Sequence, residues 1–314
     1  MQEKNIAIID LGSNSARLVV EKIKEDGSYE ELYRVKEDTR LSQGMGDSLL
    51  LQEEPMEKTI TVLKTYMASL QNFSVDAVYG ITTAAVRTAK NQAEFLARVK
   101  QAIGLQLRVL TGEEETHYDF LGVIASLPKV HSAVILDTGG ASVELIPFHH
   151  QVAEVELSLP FGAVNLSEKY QLADTVEKSQ IKAACQKIQS AYQGLPFIRQ
   201  NQGQPIILLG GANRSLAKMA EKKGWTKQNQ PTLHGLYLTS AHVEEIFAEI
   251  AEMSRAQREH LAGLEKNRAD IIVSGLLPVL NLVRALQAPR VIFSESGVRE
   301  GLIYELMKEE FGHS

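Results

Sequence analysis

The sequence predicts an α/β protein of two related halves, each a mixed sheet flanked by helices, facing each other across a cleft. Three observations predict it. Short runs of alternating or continuous apolar residues are interleaved with helical patterns along all 314 residues. The order of these elements restarts near the middle of the chain. The restart also leaves a trace in the residues themselves, AIIDLGSNSARL in the first half and VILDTGGASVEL in the second.

Taken in order, three strands are predicted over residues 5–10, 15–24 and 29–36, the second marked by alternation through Leu18, Val20 and Lys22. A helix follows over 56–71, a strand over 76–81, a helix over 91–103, a strand over 106–110 and a helix over 112–126. Three strands then recur over 132–137, 141–147 and 151–158. Helices are predicted over 162–170 and 174–194. A short buried strand at 205–209 runs through Gly210-Gly211 into a helix at 213–222. Helical patterns fill 239–287, and a strand at 291–294 and a helix at 299–312 come last. The boundary is expected at Pro128, giving one domain over 1–127 and another over 128–298. The last helix, about 299–314, is expected to pack back on the first domain.

Size and composition narrow the function. The chain is too long for one typical core and suits two domains of about 150 residues. A formal net charge of −6 is unlike the basic balance of broad nucleic-acid binders. No apolar run approaches the roughly 20 residues of a membrane helix, and MQEKNIAIID lacks the features of a secretion signal. The single cysteine, Cys185, sits in a helical pattern and reads as a small core residue; no Cys/His cluster has zinc-ligand spacing. A cytoplasmic protein with no nucleic-acid and no membrane partner is expected.

The chemistry lies in the repeat. Asp10 matches Asp137, Gly12 matches Gly139, Ser15 matches Ser142 and Leu18 matches Leu145. Each copy is a strand ending in Asp, a Gly-containing turn and a second strand. Glycines that permit positive φ let consecutive N–H groups point into one concavity, which suits phosphate oxygens. A carboxylate beside phosphate would repel it unless a cation such as Mg²⁺ lay between, so Asp10 and Asp137 are candidate metal-side groups. Either Asp alone equally reads as a turn former. Glu144 shares a strand face with Ser142 and reads either as a ligand to metal-bound water or as a solvated strand residue.

In TGEEETHYDFLGV, Thr111 and Glu114 form a capping-box pattern, and Glu113 suits the positive end of the helix dipole. Glu115 has no such explanation. It shares a face with Tyr118 and Asp119, and a carboxylate there could orient and deprotonate a water. Arg87, in GITTAAVRT, could stabilise a transferring phosphoryl group or simply sit on a helix surface. Gly210 and Gly211 could present further N–H groups to a phosphate or nucleotide. There is no His-x-x-x-His pair, no Gly-x-Ser-x-Gly elbow and no Walker loop.

The blocks IDLGSNSARL, ITTAAVRTA, LTGEEETHYDFLG, ILDTGGASVEL, LPFGAVNL, RADIIVSGL and SESGVREGLI, in this order over essentially the whole chain, resemble the exopolyphosphatase / guanosine pentaphosphate phosphohydrolase (Ppx/GppA) family. The resemblance implies two actin-like (ribonuclease H-like) domains with the active site between them. It implies Glu115 as catalytic base and Arg87 as the arginine that holds the scissile phosphate. It implies Gly139, Gly140 and Ser142 as a phosphate loop, with Asp137 and Glu144 near Mg²⁺ and Asp10, Ser13, Asn14 and Ser15 as the first-domain loop. Two departures stand out. Ala141 and Val143 replace a glycine and a threonine of the usual D-I-G-G-G-S-T-E loop, so Ala141, reluctant to take positive φ, is expected to alter its geometry. Thr116-His117 stands where Ala-Arg is common.

The chain looks like the short form of the family, without the C-terminal helical domains of long members. The expected activity is release of orthophosphate from the end of inorganic polyphosphate, with guanosine pentaphosphate as the alternative substrate. Mg²⁺ is the expected cofactor, Mn²⁺ the alternative divalent ion and K⁺ a monovalent companion. A homodimer is expected. An actin-like kinase or ATPase with an adenine pocket near Gly210–Arg214, and a non-catalytic sensor of a phosphate chain or (p)ppGpp, are the other readings.

Overall fold

A computed structural model describes residues 3–26, 28–226 and 232–311. The first sheet contains β1 (Lys4–Leu11), β2 (Ala16–Ile23), β3 (Tyr29–Glu37), β4 (Ala77–Thr82) and β5 (Arg108–Val109), in the order β3-β2-β1-β4-β5. β1 pairs antiparallel with β2 and parallel with β4. Its near-continuous apolar run is covered on both faces, as a central strand requires. Ala7, Ile9 and Leu11 pack with Leu63 and Tyr66 of α1 (Glu53–Leu70) and with Phe95 and Val99 of α3 (Gln92–Ile103). Ile6 and Ile8 pack on the opposite side. Between β4 and α3 lies the one-turn α2 (Ala84–Thr88).

The second sheet repeats this plan. β6 (Ser132–Thr138) pairs antiparallel with β7 (Val143–His149), and parallel with β10 (Ile206–Leu209). With β8 (Val152–Ala153), β11 (Tyr237–Thr239) and β12 (Arg290–Phe293) the order is β11-β12-β10-β6-β7-β8, and β9 (Leu157–Leu159) pairs with β7. Helices α5 (Ala163–Tyr170), α6 (Lys178–Gln193), α7 (Phe197–Gln200), α8 (Gly211–Lys222), α9 (Ser240–Glu252), α10 (Arg255–Arg258) and α11 (Ile272–Leu286) belong to this unit. α11 is buried along nearly its whole circumference and forms the centre of its core.

Two helices join the sheets. α4 (Gly112–Ser126) turns Tyr118 and Leu121 toward Ile6 and Ile8 of the first sheet, and Phe120, Val123 and Ile124 toward Ile135 and Ile207 of the second. α12 (Val298–Phe311) places Leu302 and Ile303 in the same cluster as Ile6 and Ile8. α4 and α12 cross with backbones touching, because Gly301 lies against the Tyr118 carbonyl and Gly122 against the Gly297 carbonyl, where any Cβ would collide. α4 thus begins at the joint between the two units.

The elements depart from expectation at their ends. The expected strand at 151–158 is two short pieces, β8 and β9, each with only a few rungs on β7. The helix expected from 174 begins at Lys178, where Glu177 and Gln180 form a side-chain cap. The helical stretch 239–287 is three helices, with Thr239 and Ser254 capping two of them. β11 and α7 are too short to leave a periodic signal.

Candidate active site

The two repeated hairpins are built alike. Leu11 pairs with Ala16 and Thr138 with Val143, leaving four-residue turns at 12–15 and 139–142. In each, the glycine N–H donates to the serine carbonyl three residues on, at 3.0 Å from Gly12 to Ser15 and 3.1 Å from Gly139 to Ser142. The turns meet. A Cβ on Gly140 would lie 2.9 Å from the Ser13 Cβ and 3.4 Å from the Asn14 nitrogen. That close approach, rather than positive φ, is what glycine supplies here, since Gly12, Gly139, Gly140 and Ala141 all keep ordinary φ. Ala141 therefore fits the loop without strain, contrary to the expectation drawn from the sequence.

Each turn is braced from behind. The Ser13 Oγ accepts from the Ala85 N–H at 3.1 Å, and the Asn14 and Ser13 carbonyls accept from Arg40 and Ser42 N–H. The N-terminal N–H groups of α5, from Ala163 and Val164, take the carbonyls of Gly139 and Gly140, and the Asn165 side chain takes that of Ala141. The N–H groups of Ser13, Asn14, Gly140 and Ala141 have no protein acceptor among the described residues. They are the donors an anion between the turns would use.

Beside the turns, β4 runs into α2 and presents Arg87. Its Nη1 donates to the Leu110 carbonyl at 3.0 Å and to Glu115 Oε2 at 2.7 Å. Glu115 sits in the first turn of α4, after the Thr111–Glu114 capping box. It is 8% exposed. Burial pushes its carboxyl up to about 7, against the pull of Arg87 and with added repulsion from Asp137 and Asp10. A carboxyl poised there can accept a proton from water near neutral pH.

One helical turn further along α4 lies Asp119. One oxygen from each of Asp119, Asp137 and Glu144 falls within 4.8 Å of the others. Asp137 and Glu144 are cross-strand partners, and the Ser158 hydroxyl of β9 donates to Glu144 at 2.9 Å. Both Asp119 oxygens and Asp137 Oδ1 are buried without a hydrogen-bond partner of normal geometry. Burial raises Asp137 to about 6 against the pull of Arg17 and Arg214, and raises Asp119 and Glu144 well above their ordinary values with added repulsion from their acidic neighbours. Buried like charges with idle oxygens fit a divalent cation, which takes oxygen ligands of this kind. With Glu144 only 1% exposed, the solvated reading of that residue is excluded.

Asp10 is placed differently. Its carboxylate faces Arg17, its cross-strand partner, with 3.6 Å between Arg17 Nη1 and Asp10 Oδ2. Both line a cavity of about 420 Å³ together with Ser13, Asn14, Ser15, Glu115, Asp137, Gly139, Gly140, Ser142, Gly210 and Gly211. Lys36, Arg214, Lys218, Arg268 and Arg299 supply positive charge to its walls. Gly210, at φ 89°, is pressed onto Asp137, where a Cβ would come within 2.5 Å of Oδ1. The Arg268 guanidinium lies over Gly211. Burial, with Arg17, Arg268 and Arg299 nearby, lowers Arg214 to about 10.

The model of the Ppx/GppA phosphatase family matches residues 19–310. The chain belongs to that family. A crystal structure of the Aquifex aeolicus member is 31% identical over 100% of both chains, with a TM-score of 0.78. A second structure, of the Aquifex aeolicus PPX-GPPA enzyme, is 30% identical over 97% of this chain and 100% of that one, with a TM-score of 0.77. A structure of an exopolyphosphatase from Cytophaga hutchinsonii, 21% identical over 98% of each chain, has a TM-score of 0.87 and shares the fold. The two-unit, actin-like architecture is thus that of Ppx/GppA phosphatases. No helix among the described residues is long and apolar enough to cross a membrane.

Within this Ppx/GppA fold, the structure brings the residues singled out in the sequence to one region, but Arg87, Ala141 and Glu144 are not among the cavity-lining residues; Arg87 reaches the cavity through its contact with Glu115. Sequence reasoning missed Asp119, Ser158, Arg17, Arg214 and Arg268 as site residues. For Asp119 a signal existed, its four-residue spacing from Glu115 on one helical face. Arg17 stood opposite Glu144 in the repeat. Ser158 comes from a short strand with no pattern to mark it, and Arg268 opens the RADIIVSGL block, where nothing local assigns it a role.

Proposed function

We propose that this protein hydrolyses the terminal phosphoryl group of inorganic polyphosphate and releases orthophosphate. The observation that carries this is Glu115, held by Arg87 at the joint where the two glycine-serine turns converge. The end of the phosphate chain lies between the turns and accepts from the N–H groups of Ser13, Asn14, Gly140 and Ala141. Glu115 orients a water in line with the terminal phosphorus and takes its proton. Arg87 stays within reach of the equatorial oxygens, where charge spreads in phosphoryl transfer. Water forms the new P–O bond as the bond to the bridging oxygen breaks, and the chain leaves one phosphate shorter. Asp137 and Glu144 would hold Mg²⁺, which when bound offsets the charge of the terminal phosphates. The units divide at 127/128, with α12 returning to the first, and they act as the two walls of the cleft.

The cavity favours a phosphate chain over a nucleoside. No aromatic side chain among the described residues lines it, whereas several arginines and lysines do. Phosphate release from polyphosphate, guanosine pentaphosphate and ATP, measured side by side with Mg²⁺, tests the reading. Polyphosphate is expected to be the fastest, and Glu115→Ala to lower kcat by roughly 10²-fold or more, the usual scale for a positioned base. Faster release from guanosine pentaphosphate would move the substrate to the nucleotide. A change of less than threefold in Glu115→Ala would remove Glu115 from the role.

A further inference from the structure

We propose that Asp119 is a third carboxylate of the cation site, so that the protein holds a divalent ion before the phosphate chain arrives. The inference rests on the hydrolytic reading of the cleft and extends it to the order of binding.

Asp119 is completely buried. It sits between Tyr118 and Gly122, the α4 residues against which α12 is pressed, and is fully enclosed by that crossing. A Cβ on Gly297 would lie 2.9 Å from Asp119 Oδ1. An acid sealed into a helix crossing is costly unless something compensates it. Capping the start of α12 is the ordinary compensation, and the Val298 backbone N–H does favour the ionised Asp119, but by less than burial and the repulsion of Asp137, Glu144 and Glu115 oppose it. The start of α12 has its own acid for this purpose, since the Gly297 N–H donates to Glu300 at 2.9 Å. Neither Asp119 oxygen makes a hydrogen bond of normal geometry. What Asp119 does face is Asp137 and Glu144.

The spacing suits an ion. Opposed oxygen ligands at metal–oxygen distances of roughly 2.0–2.6 Å stand about 4–5 Å apart, and the three oxygens lie within 4.8 Å of one another. Magnesium ordinarily draws one or two carboxylates from a protein and the remaining ligands from water and substrate phosphates. A third carboxylate shifts the ion from a companion of the substrate to a resident of the protein.

The test uses the full chain, stripped with a chelator and titrated with Mn²⁺ in the absence of any phosphate compound. Free Mn²⁺ is followed by its paramagnetic resonance signal, and Mg²⁺ is used as competitor. The wild type is expected to take up one Mn²⁺ that Mg²⁺ displaces. Asp119→Asn, which keeps size and an acceptor but removes the charge, is expected to weaken Mn²⁺ binding about tenfold or more. It is also expected to raise the melting temperature of the metal-free protein, because a repelled buried charge is gone. Unchanged Mn²⁺ affinity with a lower metal-free melting temperature would show a cap or packing residue and overturn the proposal. So would a wild type that binds no Mn²⁺ until polyphosphate is added. If Asp119→Asn does not fold, Asp119→Ser is read by the same two measurements. Failure of the wild type to release phosphate, with Mn²⁺ bound and weakened in the variant, would sink the hydrolytic reading and leave the cation site standing.

Discussion

The hairpins β1–β2 and β6–β7 share a turn, a register and an aspartate at the end of the first strand, yet differ in one cross-strand partner. Opposite Asp10 stands Arg17; opposite Asp137 stands Glu144. The first pair is an ion pair open to the cleft, 26% and 14% exposed at its side chains, and it neutralises itself. The second places two acids side by side, adds Asp119 from α4, and hides most of the group from water. Opposite charges across a strand pair are stabilising and like charges are not. The same scaffold therefore yields a charge-balanced edge on one side and, on the other, an acidic pocket that we propose holds a cation. A phosphate chain between them would meet backbone N–H groups from both turns, side-chain cations from both units, and the acids of the second.

The contrast is broken most severely by neutralising the acidic pair. Glu144→Gln preserves size and the contact with Ser158 but removes one of the charges that would hold a cation. Its kcat for phosphate release is expected to fall by about 10²–10³-fold, the scale of losing one preorganised electrostatic partner. Its melting temperature without metal should rise, since a buried, repelled carboxylate is gone. Retained activity in Glu144→Gln would mean that the acidic hairpin is no more functional than the paired one.

Much of this was legible in the sequence, for identifiable reasons. The central strands β1 and β6, the capping box at Thr111 and Glu114, and the convergence of Asp10 with Asp137 followed from patterns that repeat or that obey one helical or strand period. The partition of the acids did not. That Asp10 is paired while Asp137 is crowded depends on which side chains a third element brings over the sheet, and α4 is held over Asp137 by its packing on the second sheet and by close contacts with Gly297 and Gly301 some 180 residues later. The cations had the same problem. Arg268 lies over Gly211 from a loop between α10 and α11, and nothing local in either segment points to the other. From the sequence, the glycines of the turns suggest positive φ shaping a nest for an anion, but their backbone takes no left-handed conformation; Gly140 is small because the opposite turn is there.

A milder intervention sharpens the other side of the comparison. Arg17→Met removes the guanidinium and leaves Asp10 as an unpaired negative charge facing the cleft. KM for polyphosphate is expected to rise about tenfold, the worth of one charge-assisted hydrogen bond, with kcat changed less than threefold. Steady-state kinetics at several chain lengths checks it. A large loss in kcat with KM unchanged would place Arg17 at the scissile phosphate instead of along the chain.

The smallest expected effect is on stability against pH, and it separates the two hairpins without any substrate. Glu115 and Asp137 have carboxyls raised to about 7 and about 6 in the folded chain, from ordinary values of 4.5 and 3.8. Between those limits the folded protein binds more protons than the unfolded chain, so stability falls as pH rises. The metal-free protein should therefore lose roughly a few °C of melting temperature between about pH 4 and pH 7. Mg²⁺, by favouring the ionised carboxylates, should flatten that slope, and Glu144→Gln should make it shallower by removing a carboxyl that burial and its neighbours Glu115 and Asp137 raise. Arg17→Met should leave the slope of the acidic pocket in place or steepen it, because Arg17 is one of the cations that lowers Asp137. Thermal unfolding in a chelator across this range decides the matter: a slope that rises with pH, or one that Mg²⁺ does not alter, would mean that the acids of the second hairpin are not held above their ordinary range and do not await a cation.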